Sequence, residues 1–227
     1  MAPPISALNI LDPAALSAKG SVVVELSREL TETVIPMVAL LGALLGGIAL
    51  YEAMTFSGND PAIAVSVLVH TVVSPLASGA VGLVLAARIS AAQATEIQAL
   101  YQAGLPEDRV ALGSRLAMLT VGAFAAYVVF MGCALTGSVI AAELVLPGSS
   151  LEIIERVLIV RHPMDWPLDA AVSAVSGFGI AMAAFKSASQ GAHHHREISR
   201  TAGRSVSMGL LAVCTVQTLY WMLRSLT

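Results

Sequence analysis

The sequence predicts an all-α integral membrane protein with about five transmembrane helices. Apolar residues make up 56% of the 227 residues and charged residues only 12%, whereas soluble domains carry about 25% charged residues. The mean hydropathy is +0.80. The apolar stretches are continuous, whereas the lipid-facing strands of a membrane barrel would alternate with polar residues. A net charge of −3 gives no basic surface for a nucleic acid partner.

Five apolar stretches reach the length of about 20 residues that a helix needs to cross a bilayer. They cover residues 34–54, 62–87, 116–142, 167–185 and 205–223. The second and third stretches exceed this minimum, so they can tilt or extend past the membrane surface. We expect residues 34–227 to form one domain built around these spans.

The segment 1–33 precedes the first span and is amphipathic. Val22, Val23, Leu26 and Leu30 recur at helical spacing, with charged residues elsewhere on the helical wheel. This pattern predicts an N-terminal helix that lies in the membrane interface. A short helix packed on the protein fits the pattern equally well.

The distribution of Lys and Arg predicts the orientation in the membrane. Segments 1–33, 88–115 and 186–204 share one side of a five-span protein and carry nine of the basic residues, whereas the opposite side carries three. Basic residues concentrate on the cytoplasmic side of membrane proteins. We therefore expect a cytoplasmic N-terminus and a C-terminus on the opposite side.

Small residues recur within the spans. Gly42 and Gly46 are separated by one helical turn, and Gly79, Gly82 and Gly177 lie in later spans. Such spacing allows helix backbones to approach closely. It predicts a tight bundle without identifying a partner.

No enzymatic motif occurs along the chain. It contains no GxxxxGK[ST] phosphate loop, no HExxH zinc motif and no GxSxG nucleophile motif, so an ATP site would have to belong to another subunit. His193–His195 are consecutive, and consecutive side chains on a helix point about 100° apart, so we predict no metal site there. His70 inside the second span and Glu52 near the end of the first are either parts of an ion path or structural groups.

A charged hairpin covers residues 95–115. Ile97, Leu100 and Tyr101 share one helical face, and Gly104 is placed to end that helix. The pattern predicts a short helix across the cytoplasmic face, a sharp turn and re-entry into the membrane. Such a hairpin is either a capped connector or a docking element for a cytoplasmic partner.

Residues 78–115 resemble the MlaE/YrbE permease family, the membrane subunits of ABC-type lipid transporters that work with MCE proteins. They read SGAVGLVLAARISAAQATEIQALYQAGLPEDRVALGSR, against a family signature close to AGRVGSAIAAELGTMxVTEQIDALxxMGVDPxRYLVxPR. A second match, SRTAGRSVSMGLL, precedes the last span. The matching residues are Gly79, Val81, Gly82, Ala86, Ala87, Thr95, Glu96, Ile97, Ala99, Leu100, Gly104, Arg109, Leu112, Arg115, Arg200, Arg204 and Val206.

The resemblance implies a permease subunit, without its own ATPase site or cofactor, that moves phospholipid or related hydrophobic molecules. Its implied partners are a cytoplasmic ATPase that holds ATP and Mg, a periplasmic MCE-domain protein, the lipid substrate and a second permease copy or paralogue. The implied location is the bacterial inner membrane, with the C-terminus in the periplasm.

The resemblance also implies two functional surfaces. One is a coupling helix within 89–108 that docks on the ATPase, and the other is an apolar cavity for lipid formed by the first, second and fifth spans. The implied docking residues are Glu96, Ile97, Leu100, Tyr101, Gly104, Arg109 and Arg115, with Arg200 and Arg204 in a second cytoplasmic loop. The implied cavity residues are Leu45, Leu50, Leu76 and Tyr220.

Two departures mark a divergent member. Ala80 stands where the family has Arg, and Arg88 stands where it has Glu. The chain could therefore form one half of a heterodimer or belong to a subfamily with altered coupling. An ion-coupled small transporter or channel and a non-transporting scaffold remain the alternative functions.

Overall fold

The computed structural model describes residues 23–56, 63, 65, 77–102, 108–145, 155–156, 159, 164–191 and 198–225. These residues form five long helices: α1 (Val23–Phe56), α2 (Ala77–Gln102), α3 (Asp108–Val145), α4 (Asp165–Gly191) and α5 (Ile198–Arg224). Each is long and apolar enough to cross a membrane. The described part of the chain contains no strand, which confirms the predicted all-α membrane fold.

Helix α1 joins the amphipathic segment and the first span into one element. The helix passes through a π-helical segment, Leu30–Val34, and both residues that flank this segment keep helical backbone angles. Leu26 and Leu30 are buried in the bundle, and Leu30 lies against Gly122 of α3. Helix α1 therefore continues through the predicted boundary at residue 33, and residues 23–33 pack on the protein.

Helix α2 likewise joins two predicted elements. It runs unbroken to Gln102, so the separate short helix predicted over residues 95–103 is instead the last two turns of α2. The chain has no Gly or Pro between Val84 and Gln102 to interrupt it, and its many Ala residues favour helix. Pro75, His70 and most of residues 62–76 of the predicted span 62–87 lie outside the described residues.

Helices α1 and α3 pack side by side and run in the same direction. Gly42 lies against the backbone of Phe130, and Gly46 lies against the backbone of Ala134 one turn later. Contacts that advance together along two helices require a parallel pair. This is the arrangement expected of the first and third spans of a chain that crosses back and forth.

Helices α3 and α4, and helices α2 and α5, are antiparallel, whereas α2 and α4 pack on each other in the same direction. Helix α4 crosses α3 with Ser173 on Ala123 and Tyr127 on Asp169. Helices α2 and α5 run in opposite directions, because Gly82 lies against Val213 and Ser205 donates to Ser90. The five helices therefore alternate in direction along the chain.

Buried serines join the helices through their backbones. Ser138 donates to the carbonyl oxygen of Gly46 at 3.0 Å, Ser173 to that of Ala123 at 3.0 Å, and Ser205 to that of Ser90 at 2.7 Å. Such bonds contribute to association between membrane helices, where burial of apolar surface contributes little. Small side chains thus supply both close approach and polar contact.

We expect Gly46→Ala to lower the free energy of unfolding by about 1–3 kcal/mol, because the added methyl group would collide with the carbonyl group of Ala134. A denaturant titration in mixed micelles measures this change. Gly132→Ala is the matched control, because nothing lies within 4 Å of its Cβ position. Equal stability of the two variants would contradict the close packing of α1 on α3.

Candidate functional site

The bundle has two polar clusters, one at each end. The Arg115 end is the end where α1, α3 and α5 begin and α2 and α4 finish; the Asp169 end is the opposite one. On α4, Asp165 and Lys186 mark the two ends and are separated by about 32 Å at 1.5 Å per residue. This distance is close to the hydrocarbon thickness of about 30 Å, so the part of α4 between them is long enough to cross a bilayer.

At the Arg115 end, a buried ion pair joins α2 to α3. The side chain of Arg115 is only 3% exposed, and its two terminal nitrogens donate to the two carboxylate oxygens of Glu96 at 2.9 and 2.5 Å. It also donates to the side-chain oxygen of Gln93. A two-pronged guanidinium–carboxylate pair fixes both distance and orientation, so the last turns of α2 and the first turns of α3 are held together.

An acidic groove of about 480 Å³ lies beside this pair. Its carboxylates come from the charged turns of α1, which precede the apolar stretch of that helix, and from Glu96 of α2. Burial raises the pKa of Glu29, and the neighbouring carboxylates of Glu25 and Glu96 raise it further, while Arg115 opposes the shift. The lining residues are Glu25, Arg28, Glu29, Glu32, Thr33, Ala92, Gln93, Thr95 and Glu96.

The predicted docking residues divide into inward and outward groups. Ile97 and Arg115 are buried within the chain, and Glu96 is 40% exposed but holds Arg115. Leu100 is half-buried on the last turn of α2. Arg200 and Arg204 are exposed at the start of α5, and Arg204 donates to Gln190 of α4 at 3.2 Å.

Three other predicted docking positions are less fully described. Tyr101 and Arg109 lie in α2 and α3, and their side chains are outside the described part of the structure. Gly104 falls between the two helices, also outside the described residues. The structure therefore brings Glu96 and Arg115 together as a pair and places Leu100 beside them on the same helix end.

At the Asp169 end, a buried carboxylate joins three helices. Asp169 of α4 is fully buried; Tyr220 of α5 donates to one of its oxygens, and Tyr127 of α3 donates to the other at 3.5 Å. Arg224 donates to the hydroxyl oxygen of Tyr220 at 2.9 Å and lies 3.5 Å from the carboxylate of Asp165. The result is a network that extends from the bundle interior to its edge.

Asp169 is not among the residues predicted from the sequence, although it lies inside the predicted span 167–185. Of the two ionisable residues that were predicted, Glu52 is exposed at the end of α1 and His70 lies outside the described residues. A carboxylate within an apolar stretch is costly in a membrane and usually faces the bundle interior. The cost of a carboxylate within a span, together with the tyrosines at positions 127 and 220 of neighbouring spans, could have identified Asp169 as a buried polar residue.

An apolar groove of about 590 Å³ opens between α3 and α4 next to this network. Tyr127 belongs to both, since it lines the groove and donates to Asp169. The other lining residues are Phe124, Val128, Met131, Gly132, Leu135, Trp166, Pro167, Ala170 and Ala171. We refer to this cavity as the α3–α4 groove.

The three predicted lipid-cavity residues that the structure describes line neither of these two cavities. Leu50 is fully buried in the core, and Leu45 packs against the core while partly exposed. Tyr220 is buried on Asp169, and Leu76 lies outside the described residues. Within the described chain, Leu50 and Tyr220 therefore support the bundle and do not line a cavity.

No cluster of three His, Cys, Asp or Glu side chains that could hold a metal ion occurs in the described ranges, and His193–His195 fall outside them. A scan against protein-family models finds no match to this chain, and a search of curated proteins finds none either.

We expect Glu96→Ala to lower the free energy of unfolding by about 3–5 kcal/mol, because it leaves the guanidinium of Arg115, which is only 3% exposed, without its carboxylate. The matched control is Glu32→Ala, whose pair with Arg28 has side chains that are 61% and 74% exposed and should contribute at most about 1 kcal/mol. Denaturant titration of both variants measures the difference. Similar losses of unfolding free energy in the two variants would show that the buried ion pair does not hold α2 and α3 together.

We expect Tyr220→Phe to lower the free energy of unfolding by about 1.5–3 kcal/mol, the contribution of a hydrogen bond to a charged group. Tyr51→Phe removes the same hydroxyl from a side chain that is 57% exposed and should have little effect. The same titration compares them. If the two variants unfold alike, the Asp169 network does not stabilise the bundle.

Proposed function

We propose that the chain is the permease subunit of an ABC-type lipid transporter similar to the MlaE/YrbE family. In this proposal it moves phospholipid or a related hydrophobic molecule between the bacterial inner membrane and a periplasmic MCE protein. A separate cytoplasmic ATPase binds ATP and Mg and supplies the energy. The chain itself forms no covalent bond with the lipid.

The observation that carries this proposal is the clamped hairpin of α2 and α3. Helix α3 has 38 residues and is about 57 Å long, well beyond the bilayer thickness of about 30 Å. Its first turns extend beyond the apolar stretch together with the last turns of α2. Because Arg115 and Glu96 hold the two helices together, a partner that pushes on this hairpin would move both helices as one body.

The distribution of basic residues supports a cytoplasmic location for the hairpin. The half of the bundle at the Arg115 end carries Arg28, Arg88, Arg109, Arg115, Lys186, Arg200 and Arg204, whereas Arg224 lies at the other end. The positive-inside rule then favours a cytoplasmic N-terminus and a periplasmic C-terminus. ATP is available on the same side as the hairpin in this orientation.

The proposed docking surface contains fewer residues than the sequence resemblance implies. Ile97 and Arg115 act from inside the chain, where they fix the hairpin. Leu100 and Arg109 are the contacts we propose for the ATPase, with Arg200 and Arg204 beside them on α5.

In this proposal a second permease copy or a paralogue packs beside α1 and α5. Leu40, Leu44 and Ile48 form an exposed row on α1, and Leu211 and Leu219 are exposed on α5. These faces would border a second copy or a paralogue. The lipid cavity of the first, second and fifth spans would then lie between two subunits.

An ion-coupled transporter is the second candidate, favoured by the buried carboxylate of Asp169. Intramembrane carboxylates often lie on ion or proton paths. In the lipid transporter, Asp169 has a structural role instead. A third candidate, a membrane scaffold that recruits the other subunits, would form the same complex without stimulating ATP hydrolysis.

We expect Leu100→Asp to reduce co-purification of the ATPase at least about tenfold, because a buried unpaired carboxylate at a contact costs more than 1.4 kcal/mol. Charge reversal at Arg109 should act in the same direction. The measurement is the ATP hydrolysis that purifies with the tagged chain from its native membrane. Lys186→Glu, at the same end of α4, is the control and should retain the complex.

The result that contradicts this proposal is retention of the ATPase in both hairpin variants, with membrane insertion and thermal stability unchanged. Reconstituted vesicles separate the other candidates. Lipid transfer that follows a pH gradient and ignores ATP would favour the ion-coupled transporter. A complex whose ATP hydrolysis does not change when this chain is added would favour the scaffold.

A further inference from the structure

The acidic groove at the Arg115 end joins α1 to α2 across an excess of negative charge. The guanidinium of Arg115 is held by Glu96, and that of Arg28 pairs with Glu32 at 2.9 Å. Two carboxylates of α1 are therefore in excess over the cations. The described charged groups in and beside the groove are Glu25, Arg28, Glu29 and Glu32 of α1, Glu96 of α2 and Arg115 of α3.

Glu29 is the excess carboxylate that lies between the helices. It is half-buried. Burial raises its pKa, the carboxylates of Glu25 and Glu96 raise it further, and Arg115 opposes them. A carboxylate whose pKa is raised in the packed state stabilises that state below its usual pKa, and this stabilisation is lost as the pH rises through the raised value. Ionised Glu29 therefore weakens the packing of α1 on α2, whereas protonated Glu29 does not.

The π-helical segment Leu30–Val34 follows these charged turns directly. Ile35 donates its backbone N–H to the carbonyl oxygen of Leu30, five positions earlier. Pro36 has no N–H to donate to the carbonyl oxygen of Glu32, so α1 lacks one backbone hydrogen bond where its charged turns meet its apolar stretch. Sharp bends in helices occur at prolines and at π-helical turns, and α1 has both here.

We propose that residues 23–29, which we call the α1 arm, respond to a proton: the arm packs on α2 and α3 while Glu29 is protonated, and it swings about Leu30–Val34 when that proton leaves. The buried side chain of Leu26 holds the arm in the packed state. Leu30 stays against Gly122 of α3 and anchors the hinge. Water delivers the proton, because the groove is lined partly by exposed side chains. This device does not depend on the proposed transport function.

The test measures the distance between the α1 arm and α2 in the full chain, reconstituted in phosphatidylcholine nanodiscs. Spin labels are attached through Ser27→Cys and Ala99→Cys, both at exposed positions, after the two native cysteines are replaced by alanine. Pulsed EPR records the distance distribution from about pH 8 to about pH 4.5, a range that brackets a carboxyl pKa raised by burial.

We expect a single short distance at low pH and a second, longer distance at high pH. The ratio of the two populations should change about tenfold for each unit by which the pKa of Glu29 differs between the packed and the open arm. A distance distribution of the parent protein that does not depend on pH would overturn the proposal.

Two matched variants identify the group that binds the proton. Glu29→Gln resembles the protonated carboxyl group and should keep the short distance at every pH. Glu52→Gln makes the same change at the other end of α1, where the side chain is exposed, and should follow the parent protein. A Glu29→Gln variant that still responds to pH would overturn the assignment.

A second pair of labels separates movement of the arm from general loosening of this end. Ala99→Cys and Gly113→Cys place the labels on α2 and α3, which the pair of Glu96 and Arg115 joins, and nothing lies within 4 Å of the Cβ position of Gly113. Their distance should be the same at every pH. A pH-dependent change between them would overturn the assignment to the arm.

The hinge has its own test. Pro36→Ala restores an N–H donor for the carbonyl oxygen of Glu32 and should reduce the longer-distance population at high pH severalfold. Pro167→Ala makes the same change in the first turn of α4, where backbone N–H groups have no acceptor within the helix, and should leave the arm unchanged. An equal longer-distance population in the two variants would overturn the assignment of the hinge.

Discussion

The fold depends on the backbone contact between α1 and α3. Water is absent from the hydrocarbon, so apolar side chains gain nothing by leaving lipid for one another, and helices associate through close packing and hydrogen bonds. Gly42, Gly46 and Gly137 allow the two backbones to touch, and Ser138 bonds across the contact to Gly46. Helix α4 packs on α3, and helices α2 and α5 pack on α4 and on each other.

The polar clusters divide the molecule into two ends with different properties. At the Arg115 end, charges hold together the ends of α2 and α3 that extend past their apolar stretches. At the Asp169 end, charges and tyrosines hold α3, α4 and α5 together. Between them the core of the bundle consists mainly of apolar residues and serines. Any movement transmitted from one end to the other would therefore pass through closely packed backbones.

The sequence predicted those features that depend on length and composition. Apolar stretches identified the helices, because a span has few alternatives in a bilayer, and Gly42 and Gly46 indicated tight packing. The boundaries between helices were harder to predict. Charged residues at 25–32 and 95–102 suggested separate helices, although neither segment contains a Gly or Pro that would interrupt a helix. The partners of Arg115 and Asp169 were not predicted at all. A side chain's orientation depends on which helix lies opposite, and spacing along one helix does not contain that information.

The parallel pairing of α1 with α3 also determines the order in which the chain can assemble. Ser138 and Gly46 are 92 positions apart, and synthesis adds about 5–20 residues per second. Helix α1 is therefore made several seconds before its main partner. Its long apolar surface, with a hydropathy of 2.2 in its most apolar window, is stable in lipid during that interval. During those seconds the glycine face of α1 has not yet packed against α3.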